Sequence, residues 1–231
     1  MITRRLFLGA APLVVLSGCT SIGSRDQQAI PEPALTPKPG IMPAAYGPVL
    51  DEPYPIEAVP RGVVPERYWR QRVPNPFPEE SAGTIIVDPN AFYLHLVENR
   101  DTAMRYGIGV GRQGFSWSGD AVVQYKRKWP RWKAPDEMVA RNPELTPYSV
   151  ANGGMDPGPL NPLGARALYL FQNGEDTLYR IHGNPEANSI GKAVSSGCIR
   201  LLNQDIIDLY ERARSGVKVI VKGSRMPAAL S

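Results

Sequence analysis

The stretch IHGNPEANSIGKAVSSGCIRLLNQDIIDLY, at positions 181–210, places His182-Gly183 a short way before Cys198. His182 is one of two histidines in the chain, and Cys198 is one of two cysteines. The other cysteine, Cys19, falls in an N-terminal leader, so the folded part holds a single thiol. A lone thiol near a histidine is the minimal set for nucleophilic acyl transfer, although a buried structural cysteine and a surface histidine explain the same residues.

The residues around Cys198 and His182 suit a reactive site. Gly197 lets a substrate approach the backbone because it has no Cβ, and neighbouring N–H groups can then face an oxyanion. His182 ends a predicted strand, where an exposed imidazole can act as a base. If the imidazole and the thiol meet at hydrogen-bond distance, we expect the thiolate to be stabilised and the pKa of the thiol to fall.

Composition and charge limit which types of protein and partner fit this chain. The 231-residue chain is 42% hydrophobic and carries a formal net charge of +4. This charge is too small to demand a nucleic-acid partner, and it suits an anionic wall polymer. The single thiol excludes a disulfide within the folded part, and we expect a monomer.

Residues 1–19 look like a processed leader. Arg4 and Arg5 supply its positive region, and the apolar stretch Leu6–Leu16 is too short for a transmembrane helix. The tetrapeptide LSGC that ends at Cys19 matches the bacterial lipobox, so we expect Cys19 to be lipidated and to anchor the protein to a membrane. Export through the general or the twin-arginine route stays open. The expected location is the bacterial cell envelope, on the periplasmic side.

Residues 20–80 are rich in proline and poor in periodicity, which predicts an extended tether. Within this tether, Val59–Arg72 can pack on the domain through Tyr68 and Trp69. The folded domain is predicted at residues 81–223, followed by a C-terminal tail at 224–231.

The domain is predicted to be mainly β with few helices, as a β-sandwich or barrel-like fold. His95 alternates with leucines on a strand and is interpreted as an ordinary surface or edge residue. The clearest helix is Gln204–Ala213 with Asn203 as its N-cap, and a short helix near Asp136–Arg141 has Pro135 at its first position. The predicted strands are Thr84–Val87, Phe92–Val97, Tyr106–Val110, Ala121–Tyr125, Ala167–Phe171, Leu178–His182 and Val217–Val221.

The segment 125–162 is long, shows little strand pattern and carries Trp129 and Trp132. Loops of this length are usually functional, so it is interpreted either as a packed lid or as a cap over a sheet edge. Its basic, aromatic start at Tyr125–Lys133 also supports a rival hypothesis, a lipid-tethered module that binds wall polymer without catalysis. Export argues against nucleic acid as the partner.

The residues from His182 onward resemble the L,D-transpeptidase catalytic domain family of the YkuD type. The family motif is HG, a short variable stretch, and then S-x-G-C-[IV]-R-[ML]-x-N, which the chain matches from His182 to Asn203. The resemblance spans about Ser81 to Lys222. Many family members carry a T-P-x-G turn where this chain has Phe115–Gly119, and only the glycine is retained.

The resemblance implies a function in cell-wall organisation, peptidoglycan biosynthesis and cell shape. Cys198 would attack the carbonyl of the L-centre residue in a peptidoglycan stem tetrapeptide, and D-alanine would leave, protonated by His182. An amine on a second stem would then resolve the thioester into a 3–3 cross-link, whereas water would make the enzyme an L,D-carboxypeptidase. The backbone N–H groups of Gly197 and Cys198 would stabilise the oxyanion, and the Gly183 carbonyl would orient the imidazole. The resemblance implies no metal and no organic cofactor.

Four further residues are candidates for substrate binding. Arg200 can hold a stem carboxylate, with an ion pair to Asp205 or Asp208 as the alternative. Ser195 is part of the motif and either shapes the oxyanion loop or satisfies a local turn. Asn203 and Tyr179 are the other two candidates for substrate binding and would line the cleft. A metallohydrolase built on His182, Glu186 and Cys198 is the remaining rival, and it is disfavoured because zinc sites need three or four closely arranged ligands.

Overall fold

A computed structural model describes residues 40–111, 117–195 and 197–223, although the side chain of Ser195 is not described. The leader, the lipobox with Cys19 and the tail from residue 224 therefore lie outside the described residues. Four short 3-10 turns cover Ala44–Tyr46, Glu66–Tyr68, Pro143–Tyr148 and Ala187–Ser189. The strands and α-helices are β1 (Gln71–Pro74), β2 (Ile85–Asp88), β3 (Tyr93–Val97), β4 (Thr102–Gly107), β5 (Val110–Gly111), β6 (Gly119–Lys128), α1 (Asp136–Arg141), β7 (Arg166–Gln172), β8 (Glu175–Asn184), β9 (Ala193–Ser195), β10 (Ile199–Leu202), α2 (Asn203–Arg212) and β11 (Lys218–Val221).

Nine strands form one mixed sheet in the order β1-β4-β3-β2-β11-β6-β7-β8-β10, and β5 pairs with β9 in a second, two-stranded sheet. The prediction of a mainly β domain with few helices is confirmed. Apolar side chains from both ends of the large sheet share one core with the inner face of α2, where Ile206 and Leu209 are buried. This core fixes the β8–β10 end of the sheet, which carries the motif residues.

The predicted strand at Tyr106–Val110 is divided between β4 and β5. Gly107 ends β4 because the backbone of Tyr68 crosses it: a Cβ at Gly107 would lie 2.4 Å from the Tyr68 carbonyl oxygen. Gly109 then exchanges two backbone hydrogen bonds with Arg200, at 2.8 and 2.9 Å. The chain therefore leaves the sheet early and passes beside the motif.

The structure differs from the predicted tether over residues 40–80. Tyr46, Val59, Val64, Tyr68 and Trp69 are buried together with Ile190 and Leu202 in a second apolar cluster, and β1 adds an edge strand to β4. The proline content hid this packing, because prolines break the periodicity that reveals buried faces. The expected packing through Tyr68 and Trp69 does occur.

Helix α2 starts one residue earlier than predicted. Leu202 occupies the N-cap position, and Asn203 is the first helical residue rather than the cap. The Asn203 side chain is unavailable for capping because its Oδ1 accepts a hydrogen bond from the Ala165 backbone N–H, at 3.0 Å. The motif asparagine therefore ties α2 to the segment that precedes β7.

The prediction for His95 is wrong. The side chain is buried, with its ring 5.5 Å from that of Phe77 and 6.2 Å from that of Tyr93. Burial, together with the nearby cations Arg105 and Lys222, lowers the pKa of His95 to about 4. β1 and the residues after it cover a strand face that the sequence suggested was exposed.

The segment 125–162 is folded over much of its length. β6 extends to Lys128, Trp129 is buried, and Trp132 pairs with Met155 through two backbone hydrogen bonds. The Asn161 amide donates to the carbonyls of Pro130 and Asp156 and so closes the segment on itself. Within the described ranges, no helix is long and apolar enough to cross a membrane.

Candidate active site

Parallel pairing of β8 and β10 brings the two halves of the motif together. Arg200 lies beside His182, and Ile199 lies beside Ile181. Cys198 directly precedes β10 and hydrogen-bonds to the backbone of Arg180, so it lies level with that residue. Side chains two apart on a strand share a face. The thiol and the imidazole therefore belong to the same end and the same face of the sheet.

The imidazole of His182 is held by its own neighbour. Its Nδ1 lies 2.6 Å from the carbonyl oxygen of Gly183, which accepts the hydrogen bond. Because a carbonyl can only accept, Nδ1 carries the proton in the neutral ring, and Nε2 is left to accept one. The sequence-based expectation for the Gly183 carbonyl agrees with this geometry.

Electrostatics leave both reactive groups neutral in the substrate-free protein. Burial lowers the pKa of His182 to about 4, against a smaller opposing effect of the Gly183 hydrogen bond. Burial also raises the pKa of the Cys198 thiol, although the Arg180 backbone and the cations Arg180 and Arg200 lower it in part. The structure thus differs from the expectation of a resting thiolate, because both the thiol and the imidazole are neutral.

Gly183 cannot be replaced without displacing its neighbours. A Cβ there would lie 2.3 Å from Asn203 Oδ1 and 2.9 Å from Ile206 Cγ2, and one at Gly164 would lie 2.2 Å from the same Oδ1. The Asn203 side chain therefore occupies a slot between two glycine backbones. In the structure it packs against the Gly183 backbone and accepts from the Ala165 N–H, and its assignment to substrate binding stays a prediction.

Arg200 pairs with neither Asp205 nor Asp208. Its Nη1 lies 3.5 Å from Glu186, whose side chain is 67% exposed. Its Nε is buried and has no hydrogen-bond partner among the described residues. Both aspartates instead face Arg70, at 3.8 and 3.4 Å. Arg200 is therefore a cation with unused donor capacity beside His182.

An aromatic pair lies next to Gly197, the residue before Cys198. The Tyr179 ring stacks on that of Trp117, with centroids 5.2 Å apart and planes at 19°. Tyr179 Cε1 lies 3.5 Å from the position that a Cβ on Gly197 would occupy. Gly197 has φ +136°, a backbone conformation that favours glycine. The residue before Cys198 is thus open toward Tyr179.

Sequence reasoning missed Trp117 and Arg180. Trp117 belongs to the stretch Phe115–Gly119, where the sequence departs from the family motif, and no local pattern connects it with Tyr179. Arg180 makes a bidentate contact with Asp176 at 2.7 Å and lies over the Tyr169 ring. The feature of the sequence that could have identified Arg180 is its position two residues before His182, on the same face of the strand.

The structure also bears on the rival hypotheses. Among the described residues, no group of three His, Cys, Asp or Glu side chains is arranged to hold a metal ion. In the basic stretch, Lys126 donates to two carbonyls at the end of α2, Arg131 pairs with Asp156, and Trp129 is buried. Much of that stretch is therefore engaged within the protein rather than presented as a binding surface.

Comparison with known proteins gives the family. The model of the YkuD L,D-transpeptidase catalytic domain matches residues 82–221. A Bacillus licheniformis protein named as the L,D-transpeptidase YkuD is 42% identical over 144 residues, which cover 61% of this chain and 76% of that protein. The probable L,D-transpeptidase YbiS of Escherichia coli is 30% identical over 145 residues, which cover 59% of this chain and 43% of YbiS.

A Brucella melitensis protein described as a probable carnitine operon oxidoreductase is 44% identical, covering 68% of this chain and 94% of that one, with a TM-score of 0.47. The chain spans less than half the length of several curated relatives, YbiS among them. The match over most of residues 81–223 nevertheless makes the chain a member of the YkuD L,D-transpeptidase catalytic domain family.

Proposed function

We propose that this protein is a cysteine L,D-transpeptidase that acts on peptidoglycan stem tetrapeptides through a thioester on Cys198. The observation that carries the proposal is the joint placement of Cys198 and His182 by β8 and β10, with His182 Nδ1 fixed on the Gly183 carbonyl. This arrangement leaves Nε2 of a neutral imidazole as the base for the thiol.

In the first half-reaction, Cys198 attacks the carbonyl of the L-centre residue while its proton passes to His182. The C–N bond to the terminal D-alanine then breaks, and His182 returns that proton to the leaving amine. The backbone N–H groups of Gly197 and Cys198 stabilise the oxyanion, because both flank the attacking sulfur. Arg200 binds the carboxylate of the leaving residue. Its Nε has no hydrogen-bond partner among the described residues, and its ion-pair partner Glu186 is largely exposed, so the guanidinium can still bind an anion.

In the second half-reaction, an amine on a neighbouring stem attacks the thioester and transfers a proton to His182. The C–S bond to Cys198 then breaks, and His182 returns the proton to the departing thiolate. The product is a 3–3 cross-link. Water at the same position gives tripeptide instead, so an L,D-carboxypeptidase is the alternative outcome of the same chemistry.

The test is product analysis with purified disaccharide-tetrapeptide. The wild-type protein is expected to release D-alanine and to form a cross-linked dimer, and Cys198→Ala should lose both activities while keeping its fold. Formation of disaccharide-tripeptide alone would support the carboxypeptidase, and D-alanine release by Cys198→Ala would overturn the nucleophile. Near-identical circular dichroism of the two proteins is the control for folding.

Lipid attachment at Cys19 and a place in the bacterial envelope complete the proposal. Cys19 lies outside the described residues, so its support is the lipobox in the sequence. Cell fractionation tests it: the wild-type protein should sediment with membranes and Cys19→Ala should not, whereas equal sedimentation would contradict lipid anchoring.

A further inference from the structure

We propose that the N-terminal segment, residues 40–80, positions the His182 imidazole through the first turn of α2. The inference rests on the proposed function, in which His182 is the base, and it assigns Gln204 and Tyr46 as positioning residues. The segment lies outside the family match at residues 82–221. Its contribution to the site is therefore separate from the motif that identifies the family.

The carbonyl that holds the His182 ring belongs to a residue with no side chain of its own. His182 Nδ1 lies 2.6 Å from the Gly183 carbonyl oxygen, so the orientation of the ring follows that of this peptide. On one side Gly183 pairs with Leu201 of β10, but on the other side the pairing of β8 with β7 ends at His182 and Ala167. Because a glycine backbone is also freer than any other, the Gly183 peptide depends on neighbours outside β7.

The first turn of α2 supplies these neighbours. Asn203 Oδ1 accepts from the backbone N–H of Ala165, directly before β7, at 3.0 Å. A Cβ on Gly183 would lie 2.9 Å from Ile206 Cγ2, and it would also meet the Asn203 side chain. Asn203 and Ile206 are three positions apart and share one face of the helix. A shift or rotation of this turn would therefore move the carbonyl that orients His182.

The N-terminal segment holds the opposite side of the same turn. Gln204 Nε2 donates to the backbone carbonyls of Gly47 and Glu57, at 3.2 and 2.9 Å. The Tyr46 hydroxyl donates to Asp205 Oδ2 at 3.3 Å. Each helical residue turns by about 100°, so the side chains of Gln204 and Asp205 leave the helix on the side away from the glycine.

These contacts are buried, which makes them hard to replace. Tyr46 and Asp205 are almost completely enclosed, and Gln204 is 6% exposed. Water does not readily take the place of a donor at such a site, so the loss of the Gln204 amide would leave two carbonyls of the segment unpaired. The turn is held between the N-terminal segment and the Gly183 peptide, and release on one side is expected to loosen the other.

The first test measures the tautomer of His182 at neutral pH, by nitrogen NMR of protein with isotope-labelled histidine. The chain has two histidines, and the spectrum of His182→Ala identifies the signals of His95. In the wild-type protein we expect the proton of His182 on Nδ1. Gln204→Leu and Tyr46→Phe should each move part of the population to the Nε2–H form, because the carbonyl no longer fixes Nδ1.

The second test measures the kinetics of D-alanine release from stem tetrapeptide. Gln204→Leu should lower kcat by roughly 10- to 100-fold and change KM by less than about twofold, because a misplaced base affects the chemical step rather than binding. Tyr46→Phe should change kcat in the same direction. Thermal unfolding of each variant verifies that it is folded at the assay temperature.

Tyr93→Phe is the matched control. It removes another hydrogen bond to the N-terminal segment, from the Tyr93 hydroxyl to the Arg67 carbonyl at 3.0 Å, which does not involve α2. This variant should retain the wild-type tautomer and kcat. Equal changes in Tyr93→Phe would overturn the inference, because they would reveal a general loss of order rather than positioning through α2.

An unchanged His182 tautomer in folded Gln204→Leu and Tyr46→Phe would also overturn it. If Gln204→Leu does not fold, Tyr46→Phe alone decides the question. If the wild-type protein releases no D-alanine, the proposed function fails, whereas the tautomer still decides whether the N-terminal segment positions the ring.

Discussion

At the scale of single residues, the proposed mechanism depends on the protonation state of His182. Its Nδ1–Gly183 hydrogen bond orients the ring, and burial lowers its pKa to about 4. A neutral imidazole is therefore present across the range in which most proteins are stable. Activation must occur by proton transfer during attack, because burial also raises the pKa of the Cys198 thiol.

This arrangement predicts the pH dependence of acylation. The value of kcat/KM for D-alanine release should be nearly flat between about pH 5 and pH 8 and should fall at lower pH. The fall should follow an apparent pKa of about 4, because protonated His182 cannot accept the thiol proton. Initial rates in constant-ionic-strength buffers measure it. An acid limb near the ordinary imidazole pKa of about 6.5 would contradict the buried, neutral base.

The sequence predicted the reactive pair but not its surroundings. His182, Gly183, Gly197 and Cys198 lie in one short motif whose spacing identifies them. Trp117 is far away in the chain and reaches Tyr179 only through the folding of β6 beside β7 and β8. No local pattern encodes such a contact.

At the scale of elements, helix α2 is attached to the N-terminal segment by a buried polar contact. The Tyr46 hydroxyl donates to Asp205 Oδ2 at 3.3 Å, and Arg70 Nη1 lies 3.8 Å from Oδ1. Oδ1 has no hydrogen-bond partner among the described residues, and Asp205 is completely buried. Burial raises the pKa of Asp205 to about 7 despite the opposing effect of Arg70.

Asp205→Asn is therefore predicted to stabilise the protein in a pH-dependent way. An unfolded aspartate titrates near pH 3.9, so the folded protein binds the extra proton between about pH 4 and pH 7. The free energy of unfolding of the wild type should fall as pH rises through this window, because the buried carboxylate becomes charged. Asparagine stays neutral, so Asp205→Asn should not show this fall. The free energy of unfolding in urea should be higher for Asp205→Asn by roughly 2 to 4 kcal/mol at pH 8. At pH 5 the advantage of Asp205→Asn should be smaller by roughly 2 to 3 kcal/mol, because most of the interval between the unfolded and folded pKa values lies above that pH. Equal stabilities of the two proteins at both pH values would contradict a buried charge.

Element boundaries show where sequence patterns end. β6, β7 and β8 were found because β-branched and aromatic residues mark their centres, yet β6 and β8 run longer than predicted. β10 was missed as a strand, since Ile199–Leu202 is only four residues long and includes Arg200. It forms because β8 supplies a parallel partner, which is a property of the sheet and not of the segment.

At the scale of the whole molecule, the N-terminal segment is part of the fold. Glu52 pairs with the buried Arg166 and accepts from Trp129 Nε1 at 2.8 Å, which joins this segment to β7 and to the segment 125–162. The Arg166 hydrogen bond is the largest cause of the lowered pKa of Glu52. The domain that packs as one body therefore extends beyond the family match.

A chain truncated to begin at Ser81 should consequently fail to fold stably. It would lose the buried Tyr46, Val59, Val64, Tyr68 and Trp69. Each such side chain contributes about 1.5–3 kcal/mol, against a total stability of roughly 5–15 kcal/mol. Thermal unfolding measures the effect, with a chain beginning at Gly40 as the control. A Tm for the shorter chain within about 3 °C of the control would show that the segment is dispensable.

The most direct test of the central claim is the intact mass of the protein after brief exposure to stem tetrapeptide. Wild type should gain the mass of the tripeptide acyl group, and peptide mapping should locate it on Cys198. His182→Ala should acylate far more slowly, and Cys198→Ala should not acylate. Turnover of tetrapeptide with no acyl group on Cys198, or with the acyl group on another residue, would contradict the account.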